Sequence, residues 1–207
     1  MHILVDLTGY TQTSRTGIVA LKPAAIHVNW LGYAGTMGEL HGKPLFDYII
    51  ADKTIAPNPA NFSEKVIYLP CYQPNDSRRP IGKPSLKSSY NLPEDAFVFC
   101  CFNQTFKITP EVFSVWMQLL KHTPNSVLWL LECNPWAKNN LKREATNAGI
   151  DAERLIFAPR VTIADHLARH VHADLFLDTS PYNAHTTCSD ALFMGLPVLT
   201  CMSDTFA

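Results

Sequence analysis

The sequence predicts an α/β protein whose second half is a doubly wound, Rossmann-like parallel sheet. Three observations lead there. The strands read as unbroken apolar runs rather than as apolar/polar alternation, the pattern of strands covered on both faces. Segments of helical period separate them, so strand and helix alternate, and alternation means parallel strands joined by helical crossovers. Finally, the helical segments carry start and stop residues at the right places.

In order, residues 96–102 (AFVFCCF) are a buried strand. Thr109, Pro110 and Glu111 supply an N-cap, a proline in the first turn and an early acid. From there to Lys121, Val112, Val115, Trp116, Leu119 and Leu120 fall on one helical face. Residues 126–131 (SVLWLL) form the next strand, and a helix over 135–148 stops at Gly149. Residues 155–158 are a strand, 162–170 a helix and 174–178 (DLFLD) a strand. Residues 185–194 are a helix ended by Gly195, and 197–201 (PVLTC) close the series. The first half is less regular, with strands expected at 2–7, 25–31, 48–51 and 66–69 and few helices to cover them. Residues 74–90 (PNDSRRPIGKPSLKSSY) are poor in large apolar side chains and rich in proline, serine and bases, and read as an exposed linker. The division expected is therefore 1–73, a linker at 74–90, and 91–207. The sequence opens on a strand and stops shortly after one, so both ends are expected to be cut from a longer protein.

Composition narrows the function. A formal net charge of -1 calls for neither nucleic acid nor an anionic membrane. No apolar run reaches the roughly 18 residues of a membrane-spanning helix, and the N-terminus lacks the basic start and cleavage site of a signal peptide. The six cysteines show no metal-ligand spacing and are expected to be free thiols in a reducing cytoplasm.

Ligands of open parallel sheets bind beyond the carboxyl ends of the strands. Three segments there carry unusual polar residues. Residues 103–107 (NQTFK) set Gln104 and Lys107 beside a helix start, an arrangement suited to phosphate; the plain alternative is a solvated loop lysine. Residues 178–187 (DTSPYNAHTT) lead into a helix opening with His185, Thr186 and Thr187, whose N–H groups and hydroxyls can take an anion. Asp190 follows one turn on; a carboxylate would repel phosphate, so it suits ribose hydroxyls. The alternative is that Thr and Asp favour helix starts in any case. In residues 160–169, His166 and Arg169 share a helical face and could stack on a base and bond its edge, or simply form a polar surface. The sequence contains no GxGxxG, GxxxxGK[ST] or GxSxG motif, which argues against dinucleotide dehydrogenases, P-loop NTPases and α/β-hydrolases. It also lacks an Asp-x-Asp pair to hold Mg²⁺ on a diphosphate.

Several segments resemble the O-linked N-acetylglucosamine transferase and SPINDLY group, glycosyltransferase family 41. They are HILVDLTGYT, HVNWLGYAGTMG, DYIIADKTIAP, FNQTFKITPEVFSVWMQLLKHTPNSVLWLL, RLIFAPRV and DLFLDTSPYNAHTTCSDALFMGLPVLT, in family order across nearly the whole chain. The resemblance implies a glycosyltransferase-B fold, with residues 1–73 belonging to the acceptor-side domain and 91–207 to the donor domain. It implies inverting, metal-independent transfer from a nucleotide sugar, UDP-N-acetylglucosamine foremost, to Ser or Thr hydroxyls of proteins, with no cofactor. Lys107 would contact the donor diphosphate together with Gln104, His185, Thr186 and Thr187. Asp190 would hold the ribose, His166 would pack on the base with Arg169 and Val161 beside it, Gly32 and Ala34 would line the sugar pocket, and His2 would stand at the active-site cleft. Ile163 and Ala34 depart from the lysine and proline of the animal enzymes, leaving GDP-fucose or another donor open. Other glycosyltransferase-B enzymes, a nucleotide-sugar epimerase and an inactive nucleotide-binding fragment are the alternatives. The chain alone is expected to have little or no transferase activity.

Overall fold

The structure, a computed structural model, describes residues 2–73 and 76–202. The chain forms two compact units, one before Asp76 and one from Asp76 onward.

The first unit contains β1 (Ile3–Asp6), a short α1 (Thr16–Ala20), β2 (Ile26–Asn29), a two-stranded ribbon of β3 (Glu39–Leu40) and β4 (Lys43–Pro44), β5 (Tyr48–Ala51) and β6 (Lys65–Tyr68). The four longer strands make one parallel sheet in the order β1-β2-β5-β6. The antiparallel ribbon and α1 were not anticipated: the strands of the ribbon are two residues each, too short for any periodicity to register. Val19, Met37, Leu45 and Phe46 form the small core beside this sheet.

The second unit follows the alternation predicted. It runs β7 (Phe97–Cys101), α2 (Pro110–His122), β8 (Ser126–Leu131), α3 (Pro135–Asn147), β9 (Leu155–Ala158), α4 (Ile163–Ala168), β10 (Leu175–Leu177), α5 (Thr186–Phe193) and β11 (Val198–Leu199). The caps predicted at Thr109 and Gly149 are present, and Asn134 adds one that was not anticipated. Thr109 and Asn134 accept backbone N–H bonds at the starts of α2 and α3, and Gly149 takes the left-handed conformation after α3, where a Cβ would be strained. The helix expected over 162–170 is shorter, because Thr162 is its N-cap and the chain tightens into a 3₁₀ turn at Arg169–His172. All five strands are parallel, in the order β11-β10-β7-β8-β9. Every residue of β8, its most enclosed strand, is buried. The fold is therefore the α/β parallel-sheet class expected.

The strand order positions the site. From β7 the chain winds outward through β8 to β9, then returns to the other side of β7 for β10 and β11. Right-handed crossovers in opposite directions put the helices on opposite faces, so the loops leaving β7 and β10 part around a crevice. These are the loops of Lys107 and of His185.

Residues 76–90 are largely exposed, as expected, but they are not a free linker. The backbone N–H of Gly82 donates to the Ala164 carbonyl at 3.0 Å, His172 Nε2 lies 2.7 Å from the Ser85 carbonyl, and the Tyr90 ring packs 5.1 Å from Trp129. The sequence showed the absence of large apolar side chains. It did not show that backbone groups and one glycine would fasten the segment to the second unit.

Candidate functional site

Asn103, two residues past β7, and Asp178, directly after β10, tie the two loops together. The buried Asn103 amide donates to Asp178 Oδ1 at 3.2 Å and to Thr179 Oγ1 at 2.8 Å, and its carbonyl oxygen accepts the Thr187 hydroxyl. Asp178 gathers the rest of its loop. Its Oδ1 accepts the N–H groups of Thr179 and Ala184, both at 2.7 Å, while Oδ2 accepts Asn183 Nδ2 at 3.1 Å and the Thr200 hydroxyl at 2.7 Å. Both residues lie within the loops expected at this edge, with no role of their own expected from the sequence. Their only signal was a polar side chain immediately after an apolar strand.

Lys107 ends the short helical turn Thr105–Lys107. Its ammonium donates to the Asn183 carbonyl at 2.8 Å and lies 3.9 Å from the centre of the Tyr182 ring. Burial lowers its pKa, with the Asp178 carboxylate opposing. Asn183 stands just before α5, so the ammonium and the positive end of that helix are neighbours. The His185 side chain makes no capping bond to α5, and no acidic residue lies in its first turn. The His185 imidazole is held below its usual pKa by burial first and then by the Lys107 charge, so at neutral pH it is uncharged beside a cation.

A cavity of about 290 Å³ opens beside these loops. Phe102, Leu131, Val161 and Ile163 make its apolar wall, and Gln104, Arg160, His166, Arg169 and Thr187 supply polar groups. Five residues singled out from the sequence thus meet at one cavity: Gln104, Val161, His166, Arg169 and Thr187. The Gln104 side-chain oxygen also receives a long contact from the Cys133 thiol, 3.4 Å.

Arg169 and Asp190 differ from their expected exposure. Arg169 is only 1% exposed: one guanidinium nitrogen donates to the Pro159 carbonyl at 2.8 Å, another lies 2.6 Å from His166 Nδ1, and the group stacks 4.3 Å from the Phe102 ring centre. An i, i+3 spacing of polar residues suggests a surface stripe, but Phe102 and Trp129 draw the guanidinium under the cavity, where Nε is buried without a hydrogen-bond partner. Asp190 is 3% exposed and does not line the cavity. It pairs with Arg79, and its second oxygen is 3.5 Å from His166 Nε2. Burial alone would raise its pKa, but the hydrogen bonds and charges of His166 and Arg79 outweigh burial and hold the carboxyl below the usual range.

In the first unit, Gly32 permits a close backbone crossing. A Cβ there would meet the Leu7 carbonyl oxygen at 2.3 Å and Thr8 at 2.5 Å. Ala34 is buried, and the loop after it is fixed by the buried Glu64, which accepts the Met37 N–H and the Thr36 hydroxyl, both at 2.7 Å. His2 lies exposed just ahead of β1, with its carbonyl accepting the Ile26 N–H at 3.2 Å.

Comparison with known proteins gives the lineage. The sequence model of glycosyl transferase family 41 matches residues 1–74 and 83–207. The chain belongs to that family. Among family 41 relatives it is 38% identical, over 97% of its length, to the probable UDP-N-acetylglucosamine--peptide N-acetylglucosaminyltransferase SEC of Arabidopsis thaliana. It is 32% identical over the same share to the SPINDLY enzyme of Eustoma exaltatum. It spans 21% and 22% of the lengths of these two relatives. Among solved structures, a Thermobaculum terrenum O-GlcNAc transferase mutant matches the whole chain at a TM-score of 0.82 and 31% identity, with 39% of that structure covered. The glycosyltransferase-B class expected from the sequence holds for this family 41 chain.

Proposed function

We propose that this chain carries the nucleotide-sugar site of a protein O-N-acetylglucosaminyltransferase, with the donor in the second unit and the first unit part of the acceptor-side domain. The observation that carries the reading is the Lys107 ammonium held beside the start of α5, whose Thr187 lines, with Gln104 from the Lys107 loop, a cavity of about 290 Å³. That volume suits a nucleoside more than an extended chain. Lys107, the first-turn N–H groups of α5 and Gln104 face the diphosphate. Val161 and His166 flank the base, and Asp190 and Arg169 support them from below.

In this reading the acceptor hydroxyl oxygen attacks the anomeric carbon on the face opposite the diphosphate. The sugar–oxygen bond breaks with its electron pair leaving on UDP, which inverts the anomeric centre. Negative charge grows on the diphosphate as the bond breaks, and the Lys107 ammonium and the helix start stabilise it where a metal ion would otherwise serve. The acceptor hydroxyl gives up its proton to a general base or to solvent as it attacks; His2 stands equally as that base, as an acceptor-orienting group or as a strand-start residue. Protein hydroxyls are the acceptors by analogy with the peptide transferases named above. The free cysteines suit a cytoplasmic location, and among the described residues no helix is long and apolar enough to cross a membrane.

Thermal unfolding with UDP, UDP-N-acetylglucosamine, GDP and GDP-fucose tests the reading. A ligand at 100 times its Kd adds about 2.7 kcal/mol of stability. UDP and UDP-N-acetylglucosamine should raise the Tm, and the guanosine pair should not. No response to any of the four removes the reading, and a response to the guanosine pair alone reassigns the donor.

A further inference from the structure

Four ionic and polar groups form a chain beneath the cavity, and its outermost member comes from the segment the sequence reads as a linker. Arg79 pairs with Asp190, Asp190 faces His166 Nε2 at 3.5 Å, and His166 Nδ1 lies 2.6 Å from an Arg169 nitrogen. Only His166 and Arg169 reach the cavity wall; Arg79 and Asp190 lie behind it. Two of the segment's fastenings lie at this chain of groups. Arg79 sits on α5, with its guanidinium carbon 5.1 Å from the Phe193 ring centre. Gly82 sits against α4, where a Cβ would meet Asp165 Oδ1 at 2.9 Å and the Ala164 carbonyl at 3.1 Å. Arg79 is therefore placed where the helix bearing His166 and the helix bearing Asp190 come together.

The hydrogen bonds fix the imidazole. A guanidinium offers donors and no acceptor, so the His166 Nδ1 facing Arg169 presents its lone pair. The proton of the neutral ring is then on Nε2, directed at Asp190. That geometry needs an ionised Asp190. A side chain only 5% exposed carries its charge because a cation lies against it, and that cation is Arg79.

We propose that Arg79 is a positioning residue for the nucleotide site: by pairing with Asp190 it holds His166 in the Nε2–H tautomer with its ring face on the cavity. It acts on the ligand only through Asp190 and His166. The link to nucleotide binding rests on the proposed function; the link to His166 does not.

The test uses the whole chain with Arg79→Ala and Arg79→Lys, and Lys83→Ala, an exposed neighbour, as control. Nitrogen-15 spectra of the histidine rings read the His166 tautomer, and calorimetry with UDP reads affinity. Arg79→Ala should convert His166 from a single Nε2–H form to a tautomer mixture and weaken UDP about tenfold, the scale of one charge-assisted hydrogen bond. Arg79→Lys should retain the tautomer and most of the affinity. If loss of the cation leaves too little folded protein, the double variant Arg79→Met with Asp190→Asn removes both charges. It should bind UDP no more weakly than Asp190→Asn alone, because the two residues act in series; a further loss overturns the inference. An unchanged His166 spectrum in Arg79→Ala also overturns it, whether or not nucleotide binds. A wild-type chain that ignores UDP while the His166 spectrum responds to Arg79→Ala upholds the positioning role and removes the nucleotide reading instead.

Discussion

The Lys107 ammonium donates to the Asn183 carbonyl across 2.8 Å, joining two residues that lie 76 positions apart in the chain. The bond sets the cation at the mouth of a helix with no acidic residue in its first turn. A second cation-to-loop contact, the ammonium over the Tyr182 ring at 3.9 Å, fixes its height above the sheet. Both contacts are local to the switch point, so removing the ammonium should change charge there with little effect on the core. In the longer transferase, Lys107→Ala should cost about 2.7–4 kcal/mol of transition-state stabilisation, the scale of losing one preorganised donor. Turnover measured at saturating donor checks this, and near-normal turnover removes Lys107 from the mechanism.

Asn103 carries a structural prediction. Its amide holds Asp178, Thr179 and Thr187 at once. Asn103→Ala should leave buried partners unsatisfied and cost about 2–3 kcal/mol. Since about 1 kcal/mol moves the Tm of a chain this size by roughly 2–4 °C, a drop of several degrees is expected. A Tm within a degree of wild type would mean the two loops are held by other contacts.

How much of this was legible beforehand depends on the range of each interaction. The strands and helices of the second unit are local patterns, and Thr109, Pro110 and Gly149 mark their ends within a residue or two. The candidate loops were legible because strand alternation fixes which loops share a sheet edge. The Arg79–Asp190 pair was not, because the partners are 111 residues apart and Arg79 lies in a stretch with no periodicity. The burial of Arg169 was not legible for a related reason: helical spacing gives the face of a side chain, which left a base site and a polar surface both open, but not the Phe102 and Trp129 rings packed against it.

Gly32 should tolerate no side chain. With a Cβ 2.3 Å from the Leu7 carbonyl oxygen, Gly32→Ala has to move one backbone against another. A loss of more than about 2 kcal/mol in urea unfolding is expected, in the upper part of the range for single substitutions. A silent substitution would place the need for glycine in the ligand rather than in this crossing.

Acid should weaken the second unit before its carboxylates titrate. Burial first, then the neighbouring His166, lowers the His170 pKa from 6.5 to about 4, so the unfolded chain binds its proton first as pH falls. Stability should therefore be complete above about pH 6.5 and decline toward pH 4, by up to about 3 kcal/mol for a shift of this size. His185, also lowered, adds to the same slope. Asp190, whose carboxyl lies below its usual range, adds its own loss only at still lower pH. Urea midpoints from pH 7 to pH 4 check the slope, and His170→Gln should flatten it.

The fastening of residues 76–90 to the second unit also sets where this part of the protein can be recombined. A crossover placed after Tyr90, at the start of the strand-and-helix series, would separate Asp190 from Arg79 and uncover Trp129 while leaving every regular element intact. The compact unit is longer than its secondary structure suggests, and it begins near Asp76.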